Sequence, residues 1–378
     1  MIKWEVKKLG EVCTLQRGFD LPKNLREKGD YPLISSSGEI DTHCEPKVKS
    51  PGIVTGRSGS IGSLFFVEKD FWPLNTTLFV KDFHGNDPRF IFYLLKHFDL
   101  GRFASGTGVP TLNRNHVHDE KINITTSLKE QKRIVEILDK AFEGIAQAEA
   151  NTRRNLINAR ELFDSYLNQI FIQKKGDWET KTIADISTKI EYGSSSKSAQ
   201  YENNDSIPVL RMGNIQNGLI NWNDLVYTDR KDEIEKYSLQ YNDVLFNRTN
   251  SDIHVGKSGI YKGERPAIFA GYLIRIHYKK EEINPDFLNF YLNSSIAREY
   301  GSSVMSRSIN QANINGTKLK SYPIYIPSLP MQNKIVDSLY KLKNQAKKLE
   351  TIYQRKLEAI AELKQSILEK AFTGQLSQ

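Results

Sequence analysis

"QKRIVEILDK" at Gln131–Lys140 and "QNKIVDSLYK" at Gln332–Lys341 open the same helix twice, 332 − 131 = 201 residues apart. The match extends both ways at that shift. Ser127-Leu128 recurs as Ser328-Leu329, Glu149 as Glu350, Leu156 as Leu357, Glu161-Leu162 as Glu362-Leu363, Ser165 as Ser366 and Phe171 as Phe372. So many matches without a gap mark an internal repeat. Outside the helices the repeat is looser: "WEVKKLGEVC" from Trp4 matches "WETKTIADIS" from Trp178, Gly18 faces Gly193, and Tyr31-Pro32-Leu33-Ile34 faces Ile207-Pro208-Val209-Leu210. The offset grows from 178 − 4 = 174 to 201, so the second globular half carries 27 additional residues, as befits two related units of different shape.

From Lys129 to Ile172, apolar residues such as Ile134, Leu138, Phe142, Ile145, Leu156, Phe163 and Ile170 keep three-and-four spacing, with a weak point near Thr152. From Met331 to Phe372, Ile335, Leu339, Leu342, Ala346, Leu349, Leu357, Ile360 and Ile367 do the same. Each stretch predicts a helix of about 40 residues, hence about 60 Å long. A stripe that long exceeds what one small domain covers, so the two helices are expected to pair antiparallel; the alternative is that each caps its own domain. The globular halves read as mixed α/β, with short strands between Gly, Ser and Asn turns and a short helix after each, at "PRFIFYLLKHF" and "PDFLNFYLNSSIAREY". The predicted class is α+β: a globular domain over 1–128, a long helix over 129–174, a second globular domain over 175–329 and a second long helix over 330–378 that pairs with the first, with a pseudo-twofold repeat. "QKKGDW" at Gln173–Trp178 is the boundary turn.

At 378 residues, 39% hydrophobic and 26% charged, the chain has material for two cores. It contains no apolar run near the ~20 residues of a membrane span. The start, Met1-Ile2-Lys3-Trp4-Glu5, lacks the pattern of a signal peptide, and Cys13 and Cys44 cannot make a disulfide framework, so a cytoplasmic protein without membrane association is expected. The net charge of +8 and pI near 9.1 favour a polyanionic partner.

Catalytic motifs are wanting. Gly256-Lys257-Ser258 ends like a phosphate-binding loop, but Ser251 stands where the first glycine belongs. Gly56, Gly59 and Gly62 have the wrong spacing for a dinucleotide turn. The Asn/Asp-Pro-Pro-aromatic motif of amino-methylating enzymes is missing, and "NDPRF" at Asn86 does not replace it. His116, His118 and the pair His43-Cys44 lack completing ligands at metal-site spacing, so they read as solvated or hydrogen-bonded side chains.

What recurs instead is basic and hydroxyl residues in turns: "TGRSGS" around Arg57 and "FNRTNS" around Arg248, then "SGTGVPTLNRNH" and "SRSINQANINGTKLK" ahead of each long helix. Arg, Ser, Thr and Asn on such turns suit phosphate contacts, and Arg or Asn can also read base edges in the major groove. The candidate DNA-binding residues are Arg57, Ser58, Ser60, Arg114, Arg211, Asn247, Arg248, Thr249, Asn250, Lys257, Arg307 and Asn313. Most Tyr and Phe residues are assigned to the cores.

With "SLKEQKRIVEILDK" and "SLPMQNKIVDSLYK" heading the helices, "LEKAFTGQL" at the end, "IPVLRMGNIQNG" at Ile207 and "DVLFNRTNSDIHVGKSGIY" at Asp243, the sequence resembles the specificity subunits of type I restriction-modification systems over essentially its full length. It departs in the first half, where "YPLISSSGEI" stands in place of "IPVLRMGNIQ". The resemblance implies two target recognition domains, each reading half of a split, asymmetric double-stranded DNA target, with the helix pair as a ruler and no catalytic residue in the chain. It implies two methyltransferase subunits bringing S-adenosylmethionine and two motor-nuclease subunits using ATP and Mg. Their docking is expected at the helix heads, at Gln131, Ile134, Gln332 and Ile335. Two other readings stand beside it: a coiled-coil scaffold without DNA reading, and a nuclease with a cryptic site of its own.

Overall fold

The structure, a computed structural model, describes residues 4–106, 110–173, 178–309 and 311–377. It divides into two compact units, Met1–Arg154 with Tyr353–Gln378 and Asn155–Ile352. The predicted boundary turn lies mostly outside the described residues, at 174–177, as do 107–109 and 310 of the two later basic clusters.

In the first unit, strands Thr14–Arg17, Thr77–Asp82, Gly52–Gly56 and Leu64–Val67 lie side by side in that order, all antiparallel. A second sheet places Tyr31–Ser35 between Gly38–His43 and, parallel to it, Trp72–Pro73. Trp4–Lys8 closes the unit by pairing with Lys121–Thr125. Pro88–Phe98 is helical for local reasons. Pro88 at its first position needs no hydrogen-bonded N–H, and the Asp87 carboxylate accepts from Arg89 N and Phe90 N. One face of that helix then buries Phe90, Ile91, Leu94 and Leu95.

The second unit repeats this plan strand for strand. Ser187–Tyr192, Leu273–Tyr278, Val244–Asn247 and Ser258–Ile260 occupy the same order, and the sheet continues through Gly218–Ile220 and Ile215–Gln216 to six strands. Ile207–Leu210 again sits between an antiparallel neighbour, Val226–Thr228, and a parallel one, Ile268–Phe269. Glu179–Thr182 pairs with Pro323–Ile326, and Pro285–Asn293 is capped by Asn284 as its counterpart is by Asp87.

The paired glycines Gly18 and Gly193 have a steric cause. A Cβ on Gly18 would lie 2.2 Å from Leu74 O, and one on Gly193 would lie 2.2 Å from Phe269 O. Both strands must cross a neighbouring backbone at a distance that only glycine permits.

The long helices run Leu128–Ile172 and Leu329–Phe372. Each unit takes a segment of both. In the first, Ile134 and Leu138 of one helix and Leu368, Ala371 and Phe372 of the other enter the same core. The segments run in opposite directions there: Arg133 donates to Leu376 O, whereas Glu149 accepts from Lys364. In the second unit, Leu167 and Phe171 meet Val336 and Leu339 in the core, and Arg160 lies 3.5 Å from Glu350. The ends of the stripes are therefore buried on globular cores as well as helix against helix.

Candidate nucleic-acid interface

The two turns singled out by their arginines are built alike. Arg57 donates from its backbone N–H to Thr76 O (2.8 Å) and from Nη1 to Asn75 O (3.3 Å), while its carbonyl accepts from Leu112 N (2.8 Å). Arg248 donates to Tyr272 O (3.0 Å) and Gly271 O (3.0 Å), and its carbonyl accepts from Ile314 N (2.8 Å). Each arginine latches three non-adjacent segments of its own unit. Arg248 also lies over the Tyr192 ring, 4.9 Å from its centroid. Backbone carbonyls hold both arginines half-buried in their turns, and both keep other guanidinium N–H groups.

The units diverge beside this latch. The offset is 176 at Leu210 against Ile34 and 191 at Arg248 against Arg57, so 191 − 176 = 15 of the additional residues lie between them. They form the two extra strands and a loop stapled by one buried asparagine. Asn214, 3% exposed, accepts at Oδ1 from Arg211 N (2.8 Å) and donates from Nδ2 to Asn221 O and Asn223 O, both at 2.9 Å. Arg211 closes the loop through Nη2 to Asp224 O (2.9 Å), and Asn247 ties it to the sheet through Met212 O (3.3 Å). Between this loop and the segment 247–257 opens a cleft of about 640 Å³.

The cleft gathers Arg211, Asn247, Asn250 and Lys257 from among the predicted residues and adds Asn223, His254 and Tyr272. Lys257 makes no ion pair among the described residues; burial and the nearby Arg298 guanidinium hold its ammonium below the usual range. The Lys257 charge likewise lowers the His254 imidazole, with burial and Arg298 adding to it. Arg298 itself is spent on Val255 O (2.5 Å) and Ile253 O (2.6 Å), fixing the segment that carries His254 and Lys257. Such unneutralised positive charge favours an anion.

Other predicted residues serve the framework. Thr249 is buried and accepts from Asn313 Nδ2 (2.7 Å), and Arg307 is exposed but paired with Asp252 at 2.8 Å. In the first unit Ser58 bridges to Thr111, while Ser60 and Arg114 are exposed. A hollow of about 290 Å³ in the first unit includes Asp20 and Arg26, the latter donating to Leu21 O and lying 3.9 Å from Asp41. Of the histidines considered for metal, His118 Nε2 accepts from Leu15 N (2.9 Å), His43 Nδ1 lies 3.1 Å from Glu27 N, and His116 is exposed.

The glutamines at the helix heads require a correction. Gln131 is fully buried; it accepts from Asp87 N (2.8 Å) and donates to Asn86 Oδ1 (2.7 Å) and Thr125 O (2.8 Å). Gln332, also fully buried, accepts from Asn284 N (2.9 Å) and donates to Glu282 O (2.9 Å) and Pro327 O (3.0 Å). Each amide clamps its long helix to the cap of the short helix in its unit, with all its polar atoms spent. Ile134 is buried in the same core, so a docking role for these three gives way to anchoring. Ile335 alone of the four is half-buried, in a groove of about 450 Å³ with Tyr166, Ile170, Trp178 and Met331.

The family described as "Type I restriction modification DNA specificity domain" matches residues 1–159 and again 175–359. The chain is 30% identical over 202 residues to the type I restriction enzyme MjaX specificity subunit assigned in Methanocaldococcus jannaschii, covering 52% of this chain and 46% of that one. It is 28% identical over 270 residues to the EcoKI specificity subunit of Escherichia coli K12, covering 66% and 56%. The chain thus spans about half the length of the curated relatives it matches. In fold it is similar to a chain from a structure concerned with complex assembly and conformational transition of the type I R-M system, with TM-score 0.76, 16% identity and 98% of both chains covered. It is also similar to the HsdS subunit from Thermoanaerobacter tengcongensis, with TM-score 0.61, 18% identity and 98% and 97% covered.

Proposed function

From the premise that the chain belongs to the type I restriction modification DNA specificity family, with two copies of its domain, we propose that it is the DNA-reading subunit of a methyltransferase and restriction complex. Each unit reads one half of a bipartite target, and the long helices act as an antiparallel pair that sets the spacer. The chain carries no chemistry itself. Two methyltransferase subunits bring S-adenosylmethionine and modify adenine; two motor-nuclease subunits use ATP and Mg. Lys257 and Asn250 contact the second half-site on the frame that Arg211 and Asn247 hold, and Arg57, Ser60 and Arg114 contact the first, with the spare N–H groups of Arg248 and the exposed Arg307 adding phosphate contacts. The groove around Ile335 is the docking candidate left at the helix heads.

The observation that carries this reading is the duplication of one latched turn, Arg57 and Arg248, after equivalent strands of two units, one of which adds a cleft lined by the Lys257 ammonium. Two similar but unequal readers on one chain suit a split, asymmetric target, as a symmetric dimer suits a palindrome. The test is to express the chain with its cognate methyltransferase in a host lacking adenine methylation and map methylated adenines. The expected result is one motif with two defined halves and a constant gap. Methylation without a split motif, or a stable complex that methylates nothing, would overturn the proposal.

A further inference from the structure

The residues that set the second unit apart lie in one place. The loop Arg211–Asp224 is held by Asn214 beneath it and by Asn247 at the sheet, so its ordering cost is met on folding rather than on binding. Asn223 rests on that frame with its side-chain amide exposed and without a hydrogen bond. Across the cleft, Asn250 Oδ1 accepts from Ser251 N (2.8 Å), which leaves its Nδ2 unengaged. Asn247 is 1% exposed, and its Oδ1 is buried without a partner in the cleft wall. A buried acceptor left unpaired costs free energy unless a ligand or water serves it. The guanidinium forks are committed elsewhere: Arg211 to Asp224 O, Arg248 to Gly271 O and the Tyr192 ring. Guanine is read best by such a fork, adenine by an amide that donates to N7 and accepts from the N6 amine.

We propose that the stapled loop Arg211–Asp224, together with Asn250, is the base-reading element of the second unit, and that Asn223 and Asn250 read A·T pairs through the major groove while Lys257 and His254 hold the adjoining phosphates. Arg211, Asn214 and Asn247 are positioning residues that fix the loop. This rests on the DNA-reading function proposed above and adds which residues discriminate and which base pairs they select. The first unit is 15 residues shorter between Ile34 and Arg57 and has no counterpart to this loop among the described residues; at Gly56, its equivalent of Asn247, a Cβ would lie 1.9 Å from Ser60 O.

The test uses the complex with its methyltransferase and duplexes of the mapped target carrying each base-pair substitution in turn. Asn223→Ala and Asn250→Ala are partly or fully exposed changes that leave the staple intact. Each is expected to lower discrimination about tenfold at one A·T pair of the second half-site, with the first half-site and spacer read as before. An unchanged discrimination profile, a loss confined to G·C pairs, or a loss in the first half-site would each overturn the assignment. If the unaltered complex shows no split motif, the underlying reading fails instead, so the two failures are told apart.

Discussion

At one strand end the first unit has Gly56 and the second Asn247, followed in each by a latching arginine. The glycine is dictated by the Ser60 carbonyl against which it packs, whereas the asparagine has room for a side chain that donates to Met212 O of the loop. One scaffold therefore supports two different recognition surfaces. What is shared is the framework: the strand order, the glycine crossings, the arginine latches and the glutamine clamps. What differs most is the segment between Leu210 and Arg248, which holds 15 of the additional residues and adds two strands to the edge of the sheet, with Ile215 and Ile220 in its core.

The clamps supply the most severe way to test that division. Gln131→Ala or Gln332→Ala strands two carbonyl or amide acceptors and one backbone N–H inside its own unit, and should cost about 3 to 5 kcal/mol. Urea unfolding followed by hydrogen exchange is expected to show the loss at 88–98 for the first variant and at 285–293 for the second. Equal losses in both units for either variant would contradict separate anchoring.

Exchanging the divergent position probes the scaffold more gently. Gly56→Asn forces a side chain against the Ser60 carbonyl and should cost about 3 kcal/mol, whereas Asn247→Gly loses one tie to Met212 O and should cost about 1 kcal/mol. Thermal denaturation of the two variants compares them directly. Lys257→Ala, which breaks no ion pair, should leave stability unchanged and lower the slope of log affinity against log salt by about 1. Binding titrations at several salt concentrations measure it.

The smallest effect is with pH. Burial holds the His97 and His118 imidazoles of the first unit below their usual range. The folded unit prefers both neutral, so the unfolded chain binds more protons below pH ~6.5, and their stabilisation, full above that value, is lost as pH falls. In the second unit, burial pushes the Glu191 carboxyl up, but hydrogen bonds from Lys189, Arg275 and His277 outweigh it and hold it down at about 2. Its contribution is present above the usual carboxylate range and disappears only as pH falls from there toward 2. Between pH ~6.5 and ~4.5, hydrogen-exchange protection, corrected for the intrinsic fall of exchange with pH, should therefore drop around His97 and His118 while the strands that Glu191 joins keep theirs.

Much of the fold is legible in the residues. Three-and-four spacing from Ile134 and from Ile335 reports helices because each turn of the stripe meets apolar surroundings. The Gly18 and Gly193 pairing signals an equivalent strand crossing, and the growth of the offset counts the additional residues. The candidate site was legible only in part. "FNRTNSDIHVGKSGIY" contains Asn247, Asn250, His254 and Lys257, and "RMGNIQNG" contains Arg211 and Asn214, so both walls of the cleft stand within motifs that attract notice. Asn223 and Tyr272 carry no pattern of their own. The repeated Gln131 and Gln332 were visible as a pair, yet a polar residue at a helix head reads as exposed until its three partners are known.

The sequence by itself determines the duplication, the long helices and the positive charge, since these depend on composition and on neighbours a few residues apart. Only the tertiary structure decides that Arg248 ends on Gly271 O, that Gln332 ends on the cap of Pro285–Asn293, and that Asn223 faces Asn250 across a cleft. Those partners meet because non-consecutive strands lie side by side, and the order of strands in a sheet follows from the packing of whole units rather than from any local period.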